Sequence, residues 1–302
     1  MNRIEITLFL LLFSTIFYSQ NKKSSLEIID LGTKEIQILG KIEPKNFEYH
    51  KNNLIKQLYQ PHENLWKGYL GDEKAWISWV EKTALSKLQT WKNNNQIIPK
   101  KIYRQLKKHS KKMFRFTGYQ PQGKWYILYG PAWTDLGGLG SGEMIIDLAN
   151  KQNHSNDRII QFLPHELNHQ IYNIYQPQTE FKVLKRIIDE GFATYVSHVF
   201  HQQKYTLAQE LGYTQTEFEF CVKNEEKLLQ VLAKYHLNKE ESVARQFADR
   251  NTKIGEGFPG AIGYFIGYRI VEEYVKRYGK NSWKDLYTAS PLDILNKSRI
   301  LK

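Results

Sequence analysis

Cysteine is almost absent from this chain, since Cys221 is the single one among 302 residues. No disulfide can therefore form within the molecule, which excludes the small secreted folds that disulfides hold together. Internal repeats and low-complexity segments are also missing, which excludes solenoid architectures. A hydrophobic content of 41% remains to form a core, and a chain of this length suits one large domain or two small ones.

Long apolar runs are scarce as well. The run at residues 6–18 follows Arg3 and gives way to polar residues from Ser19, and it is shorter than the about 20 residues of a membrane-spanning helix. This order is typical of a secretory signal peptide. We predict a signal peptide over residues 1–20 and an exported protein, periplasmic or secreted, with an uncleaved membrane anchor as the alternative. No cysteine lies near this boundary, so we predict that the protein is not a lipoprotein.

Acidic residues are too few to balance the basic ones. The chain has 31 Asp and Glu against 43 Lys and Arg, a net charge of +12. Much of the excess lies in residues 100–115, where basic side chains recur at helical spacing. Such a face is most simply solvated, and the alternative is weak attraction to an anionic envelope surface or an acidic substrate. No pattern for base recognition is present, so nucleic acid is not an expected partner, and we expect a monomer.

The apolar pattern changes near residue 116. Before it, residues 21–115 predict a mostly helical N-terminal segment, because apolar side chains recur at helical spacing. After it come two β-rich runs and three helical segments, at residues 124–129, 144–148, 156–175, 180–201 and 259–278. This order predicts an α+β domain over residues 116–302.

Two local features refine this prediction. The glycine-rich loop at residues 137–142 is followed by a strand, whereas a phosphate-binding loop needs a helix directly after it. We therefore interpret the loop as a lip beside an edge strand at residues 144–148. Pro164 lies inside the first of the three helical segments, so we expect either a kink there or a helix start near residue 163.

The segment His165-Glu166-Leu167-Asn168-His169 carries the clearest chemical signal. Histidines four residues apart lie on one face of a helix, where both can bind the same metal ion. Imidazole pairs of this kind are typical of zinc sites, and a glutamate between them can take a proton from zinc-bound water. The pattern predicts one Zn²⁺ per chain, with His165 and His169 as ligands and Glu166 as a general base.

Zinc needs a third protein ligand, and Glu190 is the best candidate. Residues 170–189 separate it from His169, which is enough chain for the first helix to end and a second to return antiparallel to it. Asp189 is the alternative ligand, but it points about 100° away from Glu190 on a helix.

Tyr264 and Tyr268 lie one helical turn apart, beside a stripe formed by Gly260, Gly263 and Gly267. Glycine inside a helix costs about 1 kcal/mol relative to alanine, so the stripe indicates close packing. One of the two hydroxyls could stabilise an oxyanion, and the alternative is that both tyrosines only pack in the core.

Together these residues resemble a known family. His165-Glu166-x-x-His169 followed by Glu190-Gly-x-Ala is similar to the gluzincin pattern of zinc metallopeptidases. The later Gly263-Tyr264-x-x-Gly267-Tyr268 resembles a bacterial family known only as predicted zinc-dependent proteases. The resemblance implies a thermolysin-like zincin core, with a small mixed sheet, an active-site helix and a glutamate helix.

On this basis we expect an exported zinc metallopeptidase that hydrolyses a peptide or protein substrate. Glu166 would be the base, with Tyr264 or Tyr268 at the oxyanion, and the strand at residues 144–148 could pair with an extended substrate. Two alternatives remain open: hydrolysis of a non-peptide amide, and a non-catalytic envelope accessory or motility-related module that retains a zincin fold.

Overall fold

A computed structural model of the protein describes residues 26–139, 142–255 and 257–301. The predicted signal peptide at residues 1–20 lies outside these ranges. Among the helices that they contain, none combines the length and the apolar composition needed to cross a membrane.

The described residues form a small sheet and many helices. The strands are β1 (Leu26–Asp30), β2 (Gly123–Leu128), β3 (Leu136–Gly138) and β4 (Met144–Asp147). The α-helices are α1 (Leu31–Leu39), α2 (Phe47–Leu54), α3 (Glu63–Tyr69), α4 (Glu73–Trp79), α5 (Leu85–Asn93), α6 (Pro99–Thr117), α7 (Asn156–Tyr175), α8 (Lys182–Phe200), α9 (Leu207–Leu211), α10 (Gln215–Lys223), α11 (Glu225–Tyr235), α12 (Glu241–Gln246), α13 (Ile262–Tyr278) and α14 (Pro291–Ser298). Single π-helical turns (Ile55–Tyr59 and Val80–Ala84) and 3₁₀ turns (Pro44–Asn46, Gln60–His62 and Ser282–Tyr287) connect some of them.

The sheet has the strand order β1-β2-β4-β3. β1 and β4 both run parallel to β2, and β3 runs antiparallel to β4. The α+β class and the small mixed sheet are thus confirmed, whereas a thermolysin-like core is not. β1 comes from the segment that we predicted to be helical, so that segment contributes a strand to the sheet, and the division near residue 116 stays a prediction.

The predicted edge strand is not at an edge. β4 lies between β2 and β3, and Gly137 and Gly138 of the glycine-rich loop pair with Ile145 and Met144. Both sides of β4 are therefore occupied by chain, and pairing of β4 with an extended substrate is excluded. The edge strand on this side of the sheet is β3, which is too short to offer more than a few hydrogen bonds.

Helix α7 begins at Asn156, earlier than the start near residue 163 that was one of our two expectations. The hydroxyl of Ser155 accepts a hydrogen bond from the backbone N–H of Arg158 and so caps the N-terminus. The helix then continues through Pro164, which excludes a start near residue 163. Packing against neighbouring elements on several faces stabilises the helix despite the hydrogen bond that proline cannot make.

Helix α13 packs against α8 at two glycines. A methyl group on Gly191 would overlap the backbone of Gly267, and a methyl group on Gly267 would overlap the carbonyl oxygen of Ile187. The two backbones are therefore in direct contact, which is the close packing that the glycine stripe indicates. This contact fixes the position of α13, and of Tyr264 on it, relative to α8.

Candidate metal centre

Two neighbouring helices bring the three predicted ligands together. α7 carries His165 and His169 one turn apart, and α8 runs beside it and carries Glu190. One donor atom from each residue can be chosen so that all three lie within 4.8 Å of one another. Two of these side chains are shielded from solvent: His165 is 4% exposed and Glu190 is 5% exposed.

The distances within this triangle suit a small metal ion. The Nε2 atoms of His165 and His169 are 3.0 Å apart, and they lie 3.5 and 3.1 Å from Oε2 of Glu190. Ligand atoms at 2.0–2.1 Å from a tetrahedral zinc would be about 3.4 Å from each other. Two nitrogens and one carboxylate oxygen are also a ligand set that zinc accepts.

Asp189 has a role that the sequence did not suggest. Its carboxylate lies 2.7 Å from Nδ1 of His169, on the far side of the ring from the triangle. Nδ1–H therefore donates to Asp189, which leaves Nε2 to bind a metal in place of its proton. We considered Asp189 only as an alternative ligand. Asp189 points about 100° away from Glu190 on the helix, which argues against Asp189 as a metal ligand. The same offset directs its carboxylate to Nδ1 of His169, the ring nitrogen that faces away from the triangle.

The charges around the triangle favour a bound cation. Burial lowers the pKa of His169, but the carboxylates of Asp189 and Glu190 outweigh it and hold that pKa well above its usual value. Burial likewise raises the pKa of Glu190, yet the two histidines hold it well below its usual value. Arg186 opposes this effect in part, because its positive charge lies 3.6 Å from Oε1 of Glu190.

The remaining predicted residues divide into two groups. Glu166 and Tyr264 line the same cleft as His169 and Glu190, and burial raises the pKa of Glu166. The ring of Tyr264 stacks on that of His165, with centroids 5.8 Å apart. Tyr268 instead contacts the rings of Tyr195 and His198.

A cleft of about 520 Å³ leads to the triangle. β3 forms one wall, and the other carries charged side chains from α8 and α12, among them Lys185, Arg186, Glu241 and Arg245. Glu241 compensates part of this charge, because it lies 3.4 Å from Arg186 and 3.6 Å from Arg245. The four residues carry three positive charges and one negative, so this wall is polar with an excess of positive charge.

A family model described as gliding motility protein GldB matches residues 151–300. No curated protein and no solved structure matches the chain. The matched region contains α7, α8 and α13, and so the whole triangle.

This match overturns the main functional prediction. The family is a motility family and not a peptidase family, so the assignments to gluzincins and to predicted zinc-dependent proteases, and the activity of a zinc metallopeptidase, are wrong. The physical reason is that a His-x-x-x-His pair with a returning carboxylate defines the geometry of a metal site, and a reaction needs more than that geometry. The roles predicted for Glu166, Tyr264 and Tyr268 lose the support of that assignment and stay predictions.

The prediction that the protein is not a lipoprotein is also wrong, because the name of the matched family marks it as a lipoprotein family. That prediction relied only on the lack of a cysteine near residue 20. Over residues 151–300, about half of its length, the chain is therefore similar to the gliding motility protein GldB family and not to the zinc peptidases.

Proposed function

We propose that the protein is a gliding-motility module of the cell envelope. The observation that carries the proposal is the match of residues 151–300 to gliding motility protein GldB. The match spans nearly the whole helical region after the sheet, so it concerns the fold that surrounds the triangle and not a short motif. The alternative that the sequence left open, a non-catalytic envelope or motility-related module, is the one that this observation favours.

The proposal includes one Zn²⁺ at His165, His169 and Glu190. The donor types, their separations of 3.0–3.5 Å and the hydrogen bond from His169 to Asp189 support it. When bound, the metal would supply a cross-link between α7 and α8. The protein's own part is to hold three donors in place and to fix the tautomer of His169.

The finer description of the fold belongs to the same proposal. α7 with its two histidines, α8 with Glu190 and the adjacent sheet would form a zincin-like core that serves assembly and not hydrolysis. Folds are often reused in this way, because function depends on the particular site and not on the architecture.

Deletion of the gene from the organism that encodes it tests the proposal. We expect loss of spreading on a surface, with growth unchanged, and full recovery when the wild-type chain is supplied in trans. The recovery controls for effects on neighbouring genes. Deletion cells that spread at the wild-type rate would refute the assignment to motility.

A further inference from the structure

Helix α6 has an unusual distribution of charge. Its sequence contains eight lysines and arginines and no acidic residue: Lys100, Lys101, Arg104, Lys107, Lys108, Lys111, Lys112 and Arg115. At 100° per residue these positions fall within an arc of about 140°. The buried side chains Ile102, Leu106 and Met113 lie on the opposite side of the helix.

This basic face is exposed and largely uncompensated. All eight cationic residues are exposed. Within the described ranges, Lys101 has an acidic partner, Asp157, at 3.7 Å, and the other seven form no ion pair. A solvated face normally mixes charges of both signs, so an excess of this size indicates attraction to an anionic partner.

Two apolar side chains accompany the cations. Ile98, directly before the helix, and Phe114 near its end are 47% and 38% exposed. A helix that combines many cations with exposed apolar side chains is typical of contact with an anionic lipid surface, where the apolar groups enter the headgroup region. Sequence-specific recognition of nucleic acid would instead need side chains placed for base contacts.

The path of the chain leads to the same face. Leu26, the first described residue, lines a small pocket together with Lys107 and Lys111. The apolar run at residues 6–18 ends only eight residues earlier in the sequence, and eight residues span at most about 28 Å. An uncleaved anchor at this run, the alternative to a signal peptide, would therefore keep the basic face close to the lipid headgroups.

We propose that α6 docks the folded protein on an anionic lipid surface, with its basic face against the lipid headgroups. The metal centre lies on other helices and takes no part in this contact. This interaction is independent of the motility assignment and of zinc. Each basic residue near such a surface strengthens membrane partitioning by about fivefold, and added salt weakens it.

The test measures partitioning of the full chain onto phosphatidylcholine vesicles with and without phosphatidylglycerol, at physiological ionic strength. The partition coefficient with phosphatidylglycerol is divided by the one without it. This ratio removes any contribution from the apolar run at residues 6–18, because that contribution is the same for both kinds of vesicle. We expect a clear preference of the wild type for anionic vesicles. Lys107→Glu with Lys111→Glu should reduce that preference by at least about tenfold, because two attractive charges become repulsive.

The matched control is Lys223→Glu with Lys227→Glu, which changes the net charge equally at exposed positions of α10 and α11. It should retain the wild-type preference. Acetylation footprinting adds the orientation: anionic vesicles should protect Lys107 and Lys111 and leave Lys223 and Lys227 reactive. Equal losses in both double variants, no preference of the wild type, or tighter binding to RNA than to anionic vesicles would overturn the proposal.

Discussion

Replacing His165 by alanine is expected to remove bound zinc almost completely, from one ion per chain to near zero. The variant loses one of three protein donors, and His169 and Glu190 alone cannot complete the triangle. The expected loss of affinity exceeds the about 10- to 100-fold that removal of a supporting residue costs. Elemental analysis of the purified full chain measures the effect.

Two further variants make this result specific. His154→Ala removes an exposed histidine outside the triangle and should keep one zinc per chain. Asp189→Asn should bind zinc about 10- to 100-fold more weakly, because His169 loses the carboxylate that orients it. Full zinc content in His165→Ala would show that these residues are not the ligands.

Gly267→Ala is expected to have the largest effect on stability. Its methyl group would overlap the carbonyl oxygen of Ile187 and lie 2.9 Å from the Cα of Gly191. Neither atom belongs to a side chain that can rotate away, so α13 must move off α8. We expect a loss in the free energy of unfolding at or above the upper end of the about 1–3 kcal/mol that overpacking usually costs.

Gly68→Ala is the matched control for Gly267→Ala. Gly68 lies in α3, where an added methyl group would meet Leu139 at an ordinary 3.6 Å. Alanine also suits a helix better than glycine, so the control should be neutral or stabilised by up to about 1 kcal/mol. Chemical denaturation of both variants measures the difference. If Gly267→Ala unfolds like the wild type, the backbone contact between α8 and α13 is not as close as described.

The triangle of donors could be predicted from sequence because its geometry is local. His165 and His169 share a helical face whatever the rest of the fold does. The length of chain before Glu190 allows for one antiparallel return. The supporting role of Asp189 could not be predicted in the same way, because it depends on how far α8 is rotated about its own axis.

Other features depend on contacts between distant parts of the chain. Pairing of β1 with β2 joins residues nearly a hundred positions apart, and no local pattern in a helical segment signals it. Tyr264 and Tyr268 are equivalent on a helical wheel to first approximation. The contact between Gly191 and Gly267 determines which tyrosine faces His165.

The function was the least predictable property. The residue pattern indicates donors for a metal, and we extended it to hydrolysis because peptidases use the same donors. The match to gliding motility protein GldB covers the region that contains those donors. We therefore propose a motility module in which a bound Zn²⁺ would hold α7 and α8 together.

Complementation of the deletion strain tests most directly whether the metal centre serves motility without catalysis, as proposed. We expect Glu166→Gln to restore spreading fully, because the amide has the same shape and Glu166 is not among the proposed ligands. His165→Ala should not restore spreading. Glu166→Gln cells that fail to spread, with normal protein level and zinc content, would contradict a non-catalytic role, and full spreading with His165→Ala would contradict a role of the metal centre in motility.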